Sequence, residues 1–294
     1  MYKKTNLIKS KVKNTFLKKK KIKANNCHSI SLHIIIYSLS LIILYEFIQI
    51  YKKNKYMRNL MIELTEYRAY FKLRNFTSYS QMHEDLILYS FFFDVEQGFY
   101  IDIGANDPNE ISVSKAFYKL GWNGINIEPL PDKFSKLQEA RKRDINLNLV
   151  VGDTKGKTRM RAIGCGSHVV GDRTKDSKNI IDVYMETMAN ICKQYIPKKK
   201  EIHFCKIDVE GHEKNVLLGY DFKNYRPKVF CIEATYPGTF KPCHHLWEYI
   251  LLENDYSFVY KHGINRYYVD NRIKDLKERI NYFDNFIKKR KKFT

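Results

Sequence analysis

Residues 98–109 read GFYIDIGANDPN, a short run of large strand-favouring residues that closes in Asp-Ile-Gly and a turn of small and polar residues. A run of this kind with no polar face predicts a strand buried on both sides, as in a parallel sheet covered by helices. The same grammar recurs downstream. GINIE (124–128), INLNLVV (145–151, followed by Gly152 and Asp153), IHFCKID (202–208) and KVFCIEA (228–234) are apolar runs that stop at an acid or a glycine turn. Helical stretches are expected between them at 111–120, 131–141, 188–195 and 211–218, with a further helix at 245–253. Segments 158–163 and 181–185 read as extended, and 256–260 with 267–269 can close the sheet as a hairpin. Strands alternating with helices in this order predict a doubly wound α/β fold. Before it, 80–93 reads as an amphipathic helix with acids in its first turns.

The chain has 294 residues and a net charge of +20. Charge of that size alone suggests nucleic acid or an anionic membrane. Its distribution excludes the first. Residues 1–58 hold 14 basic groups and one acid, residues 272–294 hold nine and three, and the interior carries only +1. No nucleic-acid partner is therefore expected. The six cysteines include no Cys-x-x-Cys pair, and Cys205 and Cys231 fall in apolar runs, which fits buried thiols in a reducing compartment. Cys243-His244-His245 has no second ligand pair at zinc spacing, so no metal site is expected.

Residues 29–50, SISLHIIIYSLSLIILYEFIQI, contain two ionisable side chains, His33 and Glu46. A helix of that length spans roughly 33 Å, enough to cross the hydrocarbon core. A single-pass membrane protein is expected, divided into a basic tail (1–28), a transmembrane helix (29–50), a linker (51–76), a catalytic domain (77–270) and a basic helix or tail outside the core (271–294). Both flanks of the helix are basic, which leaves its orientation open.

In an open parallel sheet, ligands bind beyond the carboxyl ends of the strands. The residues that end the runs are Asp102 with Gly104, Glu128, Asp153, Asp208 and Glu233. Capping of the following helices is the competing role for any one of these acids. The first turn, GANDPN, lacks the second and third glycines of the dinucleotide fingerprint, so close approach of a pyrophosphate is disfavoured. S-adenosylmethionine has no phosphate and presents an ammonium, a sulfonium and a ribose diol, which carboxylates suit. Asp102 is then placed at the methionine portion, Glu128 at the ribose hydroxyls and Asp153 near the adenine.

Four segments carry a family resemblance: YSQMHEDLIL (79–88), GFYIDIGANDPNEISVSKAFYKLGWNGINIEPLPDKFSKL (98–137), FCKIDVEGHEKNVLLG (204–219) and HHLWEYILLENDYSFVYKHGINRYYV (244–269). Together they resemble the FkbM family of S-adenosylmethionine-dependent methyltransferases over about residues 77–270. The resemblance implies a seven-stranded Rossmann-like methyltransferase sheet with helices on both faces, and O-methylation of a hydroxyl on a glycan or small molecule. It maps the family's cofactor motifs onto Asp102, Gly104, Asn106 and Glu128, and a further motif onto Lys206–Gly211. His83 stands where the family often has Gly and His262 where an Asp is usual, which touches the substrate contacts more than the cofactor contacts.

Methyl transfer to a hydroxyl needs an aligned acceptor and a group to take its proton. Asp208, His212 and Glu233 are the candidate bases, Asp208 first because it ends a strand. Trp247, Asn265 and Arg266 are candidates for an acceptor wall, with core packing the competing role for Trp247. A nicotinamide-dependent oxidoreductase, which would also place Glu128 on a ribose, and a non-catalytic membrane-tethered binding module are the alternatives.

Overall fold

In the computed structural model, which describes residues 37–46, 48–49, 55–163, 166–170 and 179–290, the run after Gly98 is a strand as expected. The elements in chain order are α1 (Lys55–Arg74), α2 (Glu84–Phe92), β1 (Phe99–Ile103), α3 (Val113–Lys119), β2 (Asn123–Ile127), α4 (Pro131–Ala140), β3 (Ile145–Leu147) and β4 (Val150–Gly152). They continue with β5 (Gly156–Arg161), β6 (His168–Val170), β7 (Ile180–Thr187), α5 (Met188–Tyr195), β8 (Ile202–Ile207), α6 (Glu213–Leu218) and β9 (Pro227–Glu233). The last four are α7 (Glu248–Glu253), β10 (Tyr256–His262), β11 (Asn265–Asp270) and α8 (Ile280–Arg290).

Seven strands form one sheet in the order β10-β11-β9-β8-β1-β2-β3. β1, β2, β3, β8 and β9 run parallel, and the β10–β11 hairpin closes the far edge with β11 antiparallel to β9. Both faces are covered, and the two-residue period of the strands shows it. Phe99, Ile101 and Ile103 of β1 join one apolar cluster, while Tyr100 joins the other. Phe230 and Ile232 of β9 turn to the first cluster, and Val229 and Cys231 to the second. The first cluster takes Met188 and Ile191 of α5, Val216 and Leu217 of α6, and Ile250 and Leu251 of α7. The second takes α2, Val113 and Phe117 of α3, Ala69 and Leu73 of α1, and Ile280, Phe283 and Phe286 of α8.

The strand expected at 145–151 is two strands. β3 pairs with β2, and the chain then leaves the main sheet to pair with β7 as β4, in a second sheet of order β4-β7-β5-β6. Asn148 lies at the break, where its Nδ2 donates to the carbonyls of Glu128 and Pro129, both at 2.9 Å. Those bonds fasten the chain to the turn beyond β2 and stop β3 after three residues.

Three further expectations change. α2 starts at Glu84 rather than Ser80, because the Asp85 carboxylate accepts from Ser78 Oγ (2.6 Å), Tyr79 N (2.6 Å) and Ser80 Oγ (2.7 Å) and holds those residues in a non-helical turn. All nine residues of α2 are buried, so the helix is a core element and not an amphipathic one. The segment 271–294, expected outside the core, contributes α8, which packs on α2 through Ile280, Phe283 and Phe286. Arg279 reinforces that contact with two bonds to Asp94, at 2.6 and 2.9 Å. The linker expected at 51–76 is helical from Lys55.

By its contacts the chain divides into units of residues 1–64 and 65–294. Of the expected membrane segment, residues 29–36, 47 and 50 lie outside the described residues. Residues 37–46 are helical with Ile42, Ile43 and Tyr45 exposed, and no helix among the described residues is long and apolar enough to cross a membrane.

Candidate active site

A cleft opens at the carboxyl ends of the parallel strands. It is lined by the turns after β1 (Gly104, Asn106), β2 (Glu128, Leu130) and β8 (Asp208, Glu210, His212), by Glu233 at the end of β9, and by Met160, His168 and Val169 of the second sheet. Gly104, just past β1, lies against the backbone of Asp208, just past β8. Its φ is +76°, and a Cβ there would stand 1.9 Å from the Asp208 carbonyl oxygen, so no residue with a side chain fits without moving the backbone. The amides of Gly104 and Ala105 both donate to the Ile127 carbonyl, at 3.0 and 3.1 Å, which fixes the β1 turn against β2.

At the β2 end, Glu128 is 5% exposed. Asn106 N donates to its Oε2 and Leu130 N to its Oε1, each at 2.8 Å. Two backbone donors, one per oxygen, orient the carboxylate and leave each oxygen further capacity to accept. Burial pushes its pKa up, opposed by those two hydrogen bonds and by Lys206.

The β8 and β9 end is acidic. Lys206 Nζ donates to the Gly104 carbonyl at 2.6 Å and stands 3.4 Å from both Asp102 Oδ1 and Asp208 Oδ2. Burial disfavours its charge, but the two carboxylates outweigh that and hold the ammonium above the usual lysine range. Glu233 is 6% exposed. Burial, then Asp208, through its charge and a side-chain hydrogen bond, and the charges of Glu210 and Glu213 push it up to about 9. Glu210, with φ 54°, is raised to about 7 by burial and Asp208. Glu213 is raised to about 7 by burial, although it caps its own turn by accepting from Gly211 N at 3.0 Å and Val209 N at 3.3 Å. Burial lowers the His212 pKa, with Asp153 opposing, and its Nε2 has no partner.

The structure therefore brings Gly104, Asn106, Glu128, Asp208, His212 and Glu233 to one cleft, and it separates the other residues singled out from sequence. Asp102 is 1% exposed and lies behind Lys206, so it acts on the cleft through that ammonium and does not face a ligand. Asp153 is exposed and does not line the cleft. Trp247 is buried in the core, its ring edge-on to Tyr268 at 5.8 Å. Asn265 is used by Glu84, whose Oε1 accepts from its Nδ2 at 2.9 Å. Arg266 donates to Glu248 Oε1 (2.8 Å) and Tyr268 Oη (2.9 Å) and lies over the Phe258 ring. None of these last three lines the cleft. Glu210 and Lys206 are the site residues the strand-end argument passed over, although both stand in the KIDVEG stretch that carried the resemblance. Cys192, Cys205, Cys231 and Cys243 are buried free thiols. Among the described residues no three His, Cys, Asp or Glu side chains converge on a metal position.

A mixed seven-stranded sheet with β11 antiparallel to both its neighbours, and a carboxylate-lined cleft at the strand ends, is consistent with a methyltransferase. The sequence pattern of the methyltransferase FkbM domain matches residues 102–258, just over half the chain, and the chain belongs to that family. No curated protein matches it.

Proposed function

We propose that the chain is an S-adenosylmethionine-dependent O-methyltransferase acting on a hydroxyl of a glycan or small molecule, and that residues 29–50 hold it in a membrane as a single-pass protein. The observation that carries the reading is Glu128: a buried carboxylate at the end of β2, aligned by two backbone amides, with accepting capacity left on both oxygens. A ribose diol presents two adjacent hydroxyl donors, which is the partner such a carboxylate fits. The cofactor's residues would be Glu128, Asn106 and Gly104, with Asp102 and Lys206 fixing the turn from behind. When bound, S-adenosylmethionine supplies a methyl group on a sulfonium. The chain's own task is to align the acceptor and take its proton. Asp208 stands beyond the end of β8 with its side chain 39% exposed, within reach of a ligand in the cleft. Glu233, pushed up to about 9, keeps its proton at neutral pH and acts as a donor. That leaves Asp208 as the acceptor of the hydroxyl proton, with His212, whose pKa is lowered, as a neutral second acceptor. The turn after β1, GANDPN, lacks the second and third glycines that let a pyrophosphate approach the backbone, which argues against a nicotinamide dinucleotide.

Calorimetry on a Glu128→Ala variant tests the reading. A charged hydrogen bond contributes about 1.5–3 kcal/mol, so loss of the carboxylate should weaken S-adenosylmethionine binding at least tenfold. Unchanged affinity in a folded variant refutes it.

A further inference from the structure

We propose that Gln81 is a specificity-determining residue of the cofactor site, and that its side-chain carboxamide holds the amino-acid end of S-adenosylmethionine. The inference rests on the methyl-transfer reading and gives a partner to the part of that ligand farthest from Glu128. The turn that carries Gln81 is braced by buried carboxylates. Asp85, fully buried, accepts from Ser78 Oγ, Tyr79 N and Ser80 Oγ. One oxygen of Glu84 accepts from Met82 N at 2.8 Å, and the other accepts from Asn265 Nδ2, whose residue is the register partner of Glu233. Met82 in turn fills the space beside Gly263, where a Cβ would stand 2.1 Å from its Sδ. Residues 78–82 are thus fixed beside the carboxyl end of β9. Of these five, Gln81 alone lines the cleft; it is exposed, and its carboxamide makes no hydrogen bond among the described residues. A rigid support behind one unengaged polar side chain is the arrangement that positions a binding group.

The place of Gln81 suits the length of the ligand. With the ribose at Glu128, the adenine would take the apolar side of the cleft at Leu130, Val150 and Met160, so the methionine chain would run the other way, across β1 and β8. Strands stand about 4.8 Å apart, which puts β9 about 14 Å from β2. A methionine chain extends roughly 8 Å from the ribose ring and a glutamine side chain roughly 5 Å from its backbone, so together they close that distance. The chemistry suits as well. The amino-acid end is a zwitterion, with an ammonium and a carboxylate on one carbon. Its carboxylate enters a cleft lined by the acids Asp208, Glu210 and Glu233, and no Lys or Arg is among the described residues that line it. The Lys206 ammonium is engaged by Asp102, Asp208 and the Gly104 carbonyl. A carboxamide meets both charges without adding one: Nε2 donates to the carboxylate and Oε1 accepts from the ammonium.

The experiment is calorimetry on the full-length protein in detergent at pH 7.5 with two ligands. S-adenosylhomocysteine has the amino-acid end; 5′-methylthioadenosine keeps the adenine and ribose and lacks it. Gln81→Ala should weaken S-adenosylhomocysteine about tenfold or more, the loss expected for a hydrogen bond to a charged group, and leave 5′-methylthioadenosine within about twofold. Gln81→Glu, which sets a carboxylate against the ligand's own, should bind S-adenosylhomocysteine more weakly still. Both variants should melt at the wild-type temperature, because Asp85 and Glu84 hold the turn without Gln81. Unchanged S-adenosylhomocysteine affinity in either variant, or an equal loss for the two ligands, overturns the proposal. The two readings fail separately. Wild-type protein that binds neither ligand refutes methyl transfer and the subsite with it; wild-type protein that binds both, with no selective loss in the variants, leaves methyl transfer standing and removes Gln81 from the site.

Discussion

Replacing Glu233 by Gln should change how the stability of the fold depends on pH. In the folded chain this carboxyl is pushed up to about 9 by burial and by Asp208, Glu210 and Glu213, while its ordinary value is 4.5. Between those two values the folded state binds a proton that the unfolded state has released. Stability therefore falls as pH rises through that window. One proton of difference is worth about 1.4 kcal/mol per pH unit, so between pH 6 and pH 8 the wild-type protein loses roughly 2–3 kcal/mol through this group. Gln mimics the protonated form and cannot ionise, so the variant lacks that loss. For a folded unit of this size, about 2–4 °C of melting temperature corresponds to each kcal/mol. Thermal denaturation followed by circular dichroism should thus show the variant's melting temperature falling about 5–10 °C less than the wild type's between pH 6 and 8, with the two nearly equal at pH 5. Glu210 and Glu213, both near 7, remain in each protein and largely cancel in the comparison. Parallel curves for the two proteins would mean that Glu233 is ionised across this range, and the assignment of Asp208 as proton acceptor would lose its basis.

Asp208→Asn keeps the shape of the side chain but cannot accept a proton, so methyl transfer should fall about 10²–10⁴-fold while calorimetry shows S-adenosylmethionine affinity within about twofold; a near-normal rate would move the proton acceptor to His212. Phe283→Ala should cost about 3–5 kcal/mol, because Phe283 is 2% exposed within the cluster that joins α8 to α2; a loss below 1 kcal/mol by denaturant titration would return α8 to the status of a surface tail. Full-length protein should sediment with membranes and need detergent for release, and removal of residues 1–54 should move it to the soluble fraction; recovery of the intact chain in that fraction without detergent contradicts the membrane anchor.

What could be read from the sequence was what is local. Strands β1, β2, β8 and β9 were legible because their runs are buried and stop at an acid or a glycine, whereas the half-buried β3, which stops before Asn148, was not separated from β4. The place of Glu128 in the cleft was legible because its position at the end of β2 follows from that stop alone. The α8 helix was not, since the apolar positions 280, 283 and 286 are spaced along one helical face but sit in a segment whose composition is dominated by charge. Asn265 and Arg266 were misplaced for another reason. They follow a turn near the strand ends, but packing between elements fixes their partners: Glu84 lies 181 positions from Asn265, and Glu248 lies 18 positions from Arg266.

Asp102 makes the same point at the site itself. Read alone, it is an acid near the end of the first strand and a fit partner for a cationic ligand. In the sheet, β8 lies beside β1 although about a hundred residues separate them, and Asp102 stands in register with Lys206. Paired residues on neighbouring parallel strands present their side chains on the same face. The charge of Asp102 is therefore met inside the protein, by an ammonium it shares with Asp208. Asp208 lies two residues beyond Lys206 and past the end of β8, so its carboxylate keeps Lys206 on one side and reaches the cleft on the other. Which acid faces a ligand and which positions its neighbour was decided by strand order, and no spacing within a single strand encodes that.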